Sequence, residues 1–526
     1  MKGYKFLKDT NQLVLIKKIK EDLSRTHFLE LNSYKAKLLL GAGFEHTELI
    51  VRQYLFYRAA NLNLNKTLLL SFSDSNYKMA YPFPIEWRRV LIKNGVKVNN
   101  FYSILLWNRL LVLLWIIGVS SIISNIFYSL YEIFFSKYKS LGRYVYFEDL
   151  TKNNLPNLIN KGLSTDIISW YAQSNIREID IDVFCHKVKI DSNVSVNGIP
   201  VLALPSAILP LNKVISLIKY CLWGVLATGK AFIGLFNGNW WEPFLLSEAS
   251  NSAVIRLHDP HRLARHYLFH NSNWIYRPLW TYEAEKHKSR ILFYFYSTNI
   301  QSFKQPNGYP LQANNWHLIN WPYYLVWDKN QSDFVHRAHK SANIRIVGPI
   351  EFQASQNVIP ELPPNSIAVF DVQPFRDAFY ASLGLDFDYY VPEICGKFLV
   401  DIDEVLGELG ATVVLKGKRD VGSLLHHKYK KLLNKLCISK HFIVIESGNS
   451  AKDIIEKSIA VISMPFTSTA LIAKELGKPS FYYDPTGLIQ KDDRAAHGIQ
   501  IIVGIEELRE VFMTIKNSNF SNEFKL

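Results

Sequence analysis

The chain has 526 residues, 48% of them hydrophobic and 14% aromatic, and a formal net charge of +14. That composition supplies a large core and excludes global disorder, and the length suits two or three domains or one two-lobed enzyme. The basic balance favours anionic partners, but no basic stripe interleaved with stacking aromatics is present, so nucleic acid is not an expected partner.

The N-terminal run MKGYKFLKDTNQLVLIKKIKEDLSR lacks an apolar h-region and a cleavage site, so no secretory signal is expected. From Lys37 the pattern reads strand–helix–strand. KLLLGAG is a short apolar strand ending in glycines, EHTELIVRQYLFYRAANL a helix and KTLLLSF a strand. PIEWRRVLIKNG is then a glycine-closed helix and SILLW a further strand. The uncharged segment Leu110–Tyr131 is long enough to span a bilayer, and Val214–Phe236 resembles it apart from Lys219 and Lys230. Both are expected as buried or membrane-dipping helices that could rest on an anionic lipid surface.

RYVYFED, IDVFCHKV, GIPVLAL, HYLFHNSN, RILFYFYSTN, YYLVWD and NIRIVGP read as strands, with helices at LWTYEAEKHK and KNQSDFVHRAHKS. The polar, proline-rich stretch Gly348–Ser366 marks a boundary. After it strands and helices alternate from IAVFDV to IEELREVFMTIKN. The expected fold is α/β, with two Rossmann-like doubly wound lobes facing a cleft. Residues 1–348 are expected to form the first lobe, with apolar helical insertions, and 349–526 the second. Cys185, Cys221, Cys395 and Cys437 have no CxxC spacing, which predicts free thiols in a reducing cytoplasm.

Candidate chemistry gathers at the carboxyl ends of the second lobe's strands. In SMPFTSTALIAKELG, Pro465, Phe466, Thr467, Ser468 and Thr469 lie between a strand and a helix. Thr467 or Ser468 can cap that helix, and its free amides and dipole favour an anion. Lys416, Lys418 and Arg419 in LKGKRD follow another strand and suit phosphates. Asp371 and Arg376 in VFDVQPFR end the first strand of the lobe, and His497 with Gly498 offers a further contact. Each has a plainer alternative: a helix cap, a solvated charge run, or an Asp–Arg pair.

SMPFTSTALIAKELGKPSFYYDP resembles the signature of the bacterial polysaccharide-biosynthesis proteins named for their PFTS motif. VFDVQPFR, LKGKRD, NWIYRPLWTYEAEK and FYFYSTN are similar to other stretches of that family, over roughly Asn273 to Gly504. The resemblance implies a glycosyltransferase of the two-lobed GT-B type acting in surface polysaccharide or O-antigen synthesis. It implies a nucleotide-sugar donor as substrate with no separate cofactor, and a glycan acceptor, lipid-linked or free. Ser468-Thr469 is also similar to the Ser-Ser/Thr motif of transferases that use CMP-sugars. Lys416–Arg419 lacks their His-Pro, so CMP-, UDP- and GDP-sugars stay open. Similarity to inverting GT-B enzymes makes Glu45 and His46, after the glycines of GAG, the candidate catalytic pair. No metal is expected, because HDPH has no carboxylate cluster beside it and no DxD ends a strand; DFD (Asp386–Asp388) is the nearest match. The expected location is the cytoplasmic face of the membrane. An NAD(P)-dependent oxidoreductase using GAG is the alternative, but His46 stands where a third glycine belongs. A non-catalytic assembly protein that kept the fold is another.

Overall fold

The computed structural model describes residues 10–28, 33–61, 78–135, 141–156, 166–177, 180–189, 194–271, 276–297, 303–304, 306–309, 313–350, 359–376, 389–417, 422–446 and 449–523. It begins with helices, not with the strand–helix–strand unit expected from Lys37. Helices α1 (Thr10–Ser24), α2 (Ser33–Leu40), α3 (Thr47–Asn61) and α4 (Ile85–Lys93) precede a 36-residue helix α5 (Asn100–Phe135). KLLL belongs to α2, GAG opens a 3-10 turn (Gly41–His46), and SILLW lies inside α5. A short apolar run fits a buried strand or a buried helix equally well, and here the helix prevails. KTLLLSF lies outside the described residues.

The first sheet follows. Its strands are β1 (Tyr144–Phe147), β2 (Val183–His186), β3 (Val194–Val196), β4 (Ile199–Ala203), β5 (His266–His270), β6 (Arg290–Tyr294), β7 (Tyr323–Val326) and β8 (Asn343–Ile346). They lie in the order β3-β4-β2-β1-β5-β6-β7-β8, parallel except for β3 against β4. The connecting helices include α6 (Ile167–Gln173), α7 (Val214–Gly234), α8 (Trp241–Leu257), α9 (Trp280–Lys286) and α10 (Lys329–Ala338).

The second sheet contains β9 (Ser366–Phe370), β10 (Thr412–Lys416), β11 (Phe442–Ile445), β12 (Ala460–Ser463), β13 (Ser480–Asp484) and β14 (Gln500–Val503). The helices are α11 (Pro392–Glu408), α12 (His427–Leu436), α13 (Ala451–Glu456), α14 (Ser468–Glu475) and α15 (Gly504–Glu523). All strands are parallel, in the order β11-β10-β9-β12-β13-β14. In chain order this is 3-2-1-4-5-6, the Rossmann arrangement. The two sheets part between Ile346 and Ser366, and residues 351–358 of that stretch lie outside the described residues. Both sheets are doubly wound, so each has a switch point where the chain reverses direction across the sheet. It falls between β1 and β5 in the first and between β9 and β12 in the second.

One hydrophobic core runs through both sheets, and a second joins α1–α5 to α7 and α8. Helices α5, α7 and α8 pack on one another through small and polar residues. A Cβ on Gly118 would strike Leu246, and one on Gly224 would strike Ile122. Asn125 donates to Tyr220 and Ser250. The outward faces of α5 and α7 are apolar: Phe101, Leu113, Phe127 and Phe134 on one helix, Leu222, Val225 and Ile233 on the other. Inward positions include Ser103, Ser129 and Glu132, the last paired with Arg262 at 2.6 Å. The inward face also carries Trp107, Leu111, Leu114 and Ile122, so α5 is apolar on both faces and lacks the usual amphipathic pattern, in which a polar face meets water. The four cysteines are free thiols.

Candidate functional site at the carboxyl ends of the second sheet

Residues 465–467 turn the chain from β12 into α14, and Phe466 takes a left-handed backbone at φ +63°. A bulky side chain adopts that region only when packing holds it. Phe466 is held between Phe303, at 5.1 Å between ring centres, and Tyr482, at 5.6 Å. Phe303 follows β6, so it reaches the turn from the first sheet. Tyr390 donates to the Pro465 carbonyl, and Tyr482 to the Thr467 carbonyl.

The three hydroxyls divide their work. Thr467 stands at the N-cap of α14, yet its hydroxyl donates back to the Met464 carbonyl at 2.9 Å and caps nothing. Thr469 meets Ser463 at 3.0 Å and Thr467 at 3.3 Å. Ser468 is half-buried, and its hydroxyl makes no hydrogen bond among the described residues. The reading of Thr467 or Ser468 as side-chain cap is therefore corrected. The first amides of α14 have no side-chain cap, which leaves them to a ligand or to water.

Across the switch point, Asp371 and Lys416 end neighbouring strands, and both are buried. Tyr429 donates to Asp371 Oδ2, while Asp371 Oδ1 has no partner among the described residues. Burial pushes the Asp371 carboxyl up to about 6 against the pull of Tyr429 and Lys416. Burial pushes the Lys416 ammonium down to about 8, although the charge of Asp371 opposes this. Its one close contact is the Gly417 carbonyl at 3.4 Å, and no carboxylate pairs with it among the described residues. A buried ammonium so poorly matched calls for an anion. Gly417 lets Gln373 approach, because a Cβ there would lie 2.7 Å from the Gln373 amide. Arg376 is exposed and joins Leu424 only through its backbone N–H. Lys418, Arg419 and Asp386–Asp388 lie outside the described residues.

His497 faces the first sheet. Its Nδ1 lies 2.6 Å from Oδ2 of Asp328, at the end of β7, and its buried Nε2 has no partner among the described residues. Burial raises the Asp328 carboxyl, but the hydrogen bond and charge of His497, with the Gln331 amide, outweigh it and hold it below the usual range. Lys304 and Tyr309, between β6 and β7, bind Asp493 and so fasten the turn that carries His497. Sequence reasoning missed Asp328, Phe303 and Tyr429. Only Asp328 left a trace, as an acid ending an apolar strand.

Glu45 and His46 are not brought to this site. A Cβ on Gly41 would overlap Glu283 and Arg256, and the Ala42 amide donates to Glu283. The glycines thus admit the protein's own ion pair, not a ligand. His46 lies against Tyr282, 5.5 Å between ring centres. Burial and Arg277 lower its pKa. Arg277 binds the Asn320 carbonyl just before β7, which places this group at the amino ends of the strands. No group of three His, Cys, Asp or Glu residues suited to a metal occurs among the described residues.

The family model for the polysaccharide biosynthesis PFTS motif proteins matches residues 223–512, more than half of the chain, and includes every element of this site. The chain belongs to that family. No curated protein matches it in sequence. Among solved structures, this PFTS protein is similar to Staphylococcus aureus TarM in complex with UDP (TM-score 0.29, 11% identity, 51% of this chain and 52% of TarM). The match spans about half the length of TarM. It is also similar to the UDP-GlcNAc 2-epimerase of Neisseria meningitidis bound to UDP-GlcNAc (0.36, 10%, 71% and 90%). A third likeness is to the α,α-trehalose-phosphate synthase (UDP-forming) of Burkholderia xenovorans (0.35, 9%, 71% and 92%). At these scores the likenesses carry no argument about chemistry, and the two-sheet architecture rests on the topology described above.

Proposed function

We propose that this PFTS protein is a glycosyltransferase that moves a sugar from a nucleotide donor to a growing surface polysaccharide or O-antigen, without a metal. The observation that carries the reading is the buried Lys416 ammonium, with no carboxylate partner among the described residues, across the switch point from the uncapped start of α14. Cation, helix dipole and free amides suit the phosphates of a nucleotide sugar. Ser468 adds a hydroxyl donor, and Lys418, Arg419 and Arg376 belong to the same proposal. His497 with Asp328 closes the seam beside it. CMP-, UDP- and GDP-sugars all fit this phosphate chemistry.

The acceptor in this reading is a glycan, lipid-linked, on the cytoplasmic face of the membrane. The exposed apolar faces of α5 and α7 support the membrane part, since apolar surface of this extent on a helix pair suits lipid better than water. The reaction is tested by incubating purified protein with each nucleotide sugar and bacterial membrane lipids. Release of the nucleotide together with label in the lipid or glycan fraction supports the reading. Donor that stays intact with every acceptor fraction counts against it.

A further inference from the structure

Helices α5 and α7 lie side by side over α8, so their far sides form one surface. Trp115 of α5 donates its indole N–H to the Thr228 carbonyl of α7 at 3.2 Å and packs on Phe232. Beneath them, Leu246 of α8 fills the space over Gly118, and Tyr220 of α7 meets Ser250 of α8 at 2.8 Å. On the far side of α5, exposed apolar residues recur in alternating steps of four and seven: Phe101, Leu105, Val112, Ile116, Ile123, Phe127 and Phe134. Each is 45–76% exposed. A repeat of about 11 residues takes three turns, close to the natural period of a straight helix, so the stripe keeps within about 80° of one side for about 50 Å. Ile218, Leu222 and Val225 continue the surface on α7.

We infer that this surface lies in the plane of a membrane, sunk into one anionic leaflet, and that neither helix crosses the bilayer, although both are long and apolar enough to do so. The inference rests on, and deepens, the membrane part of the function proposed above. The inward side of α5 forbids a crossing. From Ser103 to Glu132, about 44 Å of helix, it is fastened to the folded body. Ser103 accepts from the Tyr81 amide at 2.9 Å, and Trp107 packs on Trp240 at 5.4 Å. Asn125 donates to Ser250 at 3.0 Å, Ser129 accepts from the Leu211 amide at 3.1 Å, and Glu132 pairs with Arg262. A crossing needs about 20 residues that meet only lipid or other spanning helices. Here it would drag α8 into the hydrocarbon with Glu248, which accepts from the Tyr276 hydroxyl at 2.6 Å and the Leu279 amide at 3.3 Å. Lying flat immerses the outward side alone, to about 5–10 Å.

Charge decides what covers the surface. Arg109 lies on the α5 stripe and Lys219 beside the apolar residues of α7, and both are exposed. The one acid of α5, Glu132, faces inward and is paired, and α7 has no acid. A second copy docked through this surface would bury both cations with no carboxylate from α5 or α7 of either copy to meet them. Lipid phosphates meet both. The long side chains reach the headgroups while their stems stay with the apolar stripe.

The test places a nitroxide spin label at Phe101→Cys, Ile116→Cys or Phe134→Cys, one at a time, in a Cys221→Ser, Cys437→Ser background; the other two cysteines are buried. Each protein is mixed with vesicles of phosphatidylglycerol and phosphatidylcholine. Label depth is read from collisions with oxygen and with a water-soluble nickel chelate. The expected result is one shallow depth at all three positions, about 5–10 Å. Arg109→Gln with Lys219→Gln should weaken vesicle binding roughly ten- to thirtyfold, and vesicles of phosphatidylcholine alone should bind the unaltered protein as weakly. A profile deepest at the Ile116 position, with the other two labels at opposite surfaces, overturns the in-plane inference and leaves membrane attachment standing. Labels that stay in water overturn both. Spin–spin coupling between copies assigns the surface to a second copy and overturns the inference too. Undiminished binding by the charge variant overturns the anionic leaflet as the partner.

Discussion

Asp328 and His497 join the two sheets through a carboxylate–imidazole contact of 2.6 Å between residues 169 positions apart. His497 is almost wholly buried, while Asp328 keeps part of its side chain in water. The pair fixes the imidazole so that only Nε2 is left for a ligand. Its neighbour Tyr482 feels the charge of Asp328 and donates to Thr467, so the contact is continuous with the 465–467 turn. Asp328→Asn is expected to lower stability by about 1–3 kcal/mol, the cost of weakening a buried charge-assisted bond. His497→Gln should cost a similar amount, and the double variant much less than the sum. Denaturant unfolding of the four proteins checks this, and strict additivity would show the pair to be uncoupled.

Ser468 and Thr467 separate binding from folding. The Ser468 hydroxyl makes no hydrogen bond among the described residues, so Ser468→Ala should leave stability within about 0.5 kcal/mol. Donor affinity should fall about ten- to a hundredfold if the hydroxyl meets a phosphate. Thr467→Val should do the reverse, because Thr467 bonds to Met464 and Thr469 inside the turn. Calorimetric titration and thermal unfolding of both variants give the two readouts.

Lys416 titrates within reach of experiment. Its folded pKa, about 8, lies below the ordinary lysine value of 10.5, so charging it as pH falls through 8 costs stability. An anionic ligand favours the charged form and raises that pKa. Donor affinity should therefore be greatest below about pH 8 and fall above it, with proton uptake on binding near pH 8–9. Titrations in buffers of different ionisation heat measure the uptake. Lys416→Met should abolish it, weaken donor binding, and leave the ligand-free protein as stable as wild type or more so. Asp371 works in the opposite sense. Its folded pKa is raised to about 6 from 3.8, so its favourable contribution is complete below 3.8 and is lost as pH rises through 6.

The apolar faces of α5 and α7 predict a lipid-bound protein. Val225 is 74% exposed and Phe127 66% exposed, so charging them costs the fold little. Val225→Glu with Phe127→Glu should abolish flotation with anionic liposomes and leave the melting temperature unchanged. Flotation that survives both changes would assign membrane binding to another surface.

The second sheet was legible because most of its strands are short β-branched runs bounded by glycine, proline or acids, and the helices between them are amphipathic. Even there β14 escaped notice, since QIIV merges into the following helix. The first 135 residues were not legible. In α5 the outward face is as apolar as the inward one, so no polar stripe reveals the helical period, and SILLW reads as a strand. At GAG the glycines signalled a close approach correctly, but what approaches is the Arg256–Glu283 pair from distant helices. Within the site, Asp371, Lys416 and the 465–469 turn could be found because each ends a strand in the sequence. The Asp328–His497 contact could not, because two lobes must meet to create it.

The most direct test of the account is a thermal-shift panel of UDP-, GDP- and CMP-sugars on wild type and Lys416→Met. The account predicts that one nucleotide class stabilises the wild type, by about 2.7 kcal/mol at a hundredfold excess over Kd, and that Lys416→Met folds normally but loses most of that shift. No shift with any nucleotide sugar, or a full shift retained in Lys416→Met, would contradict the assignment of the β9–β12 switch point as the donor site.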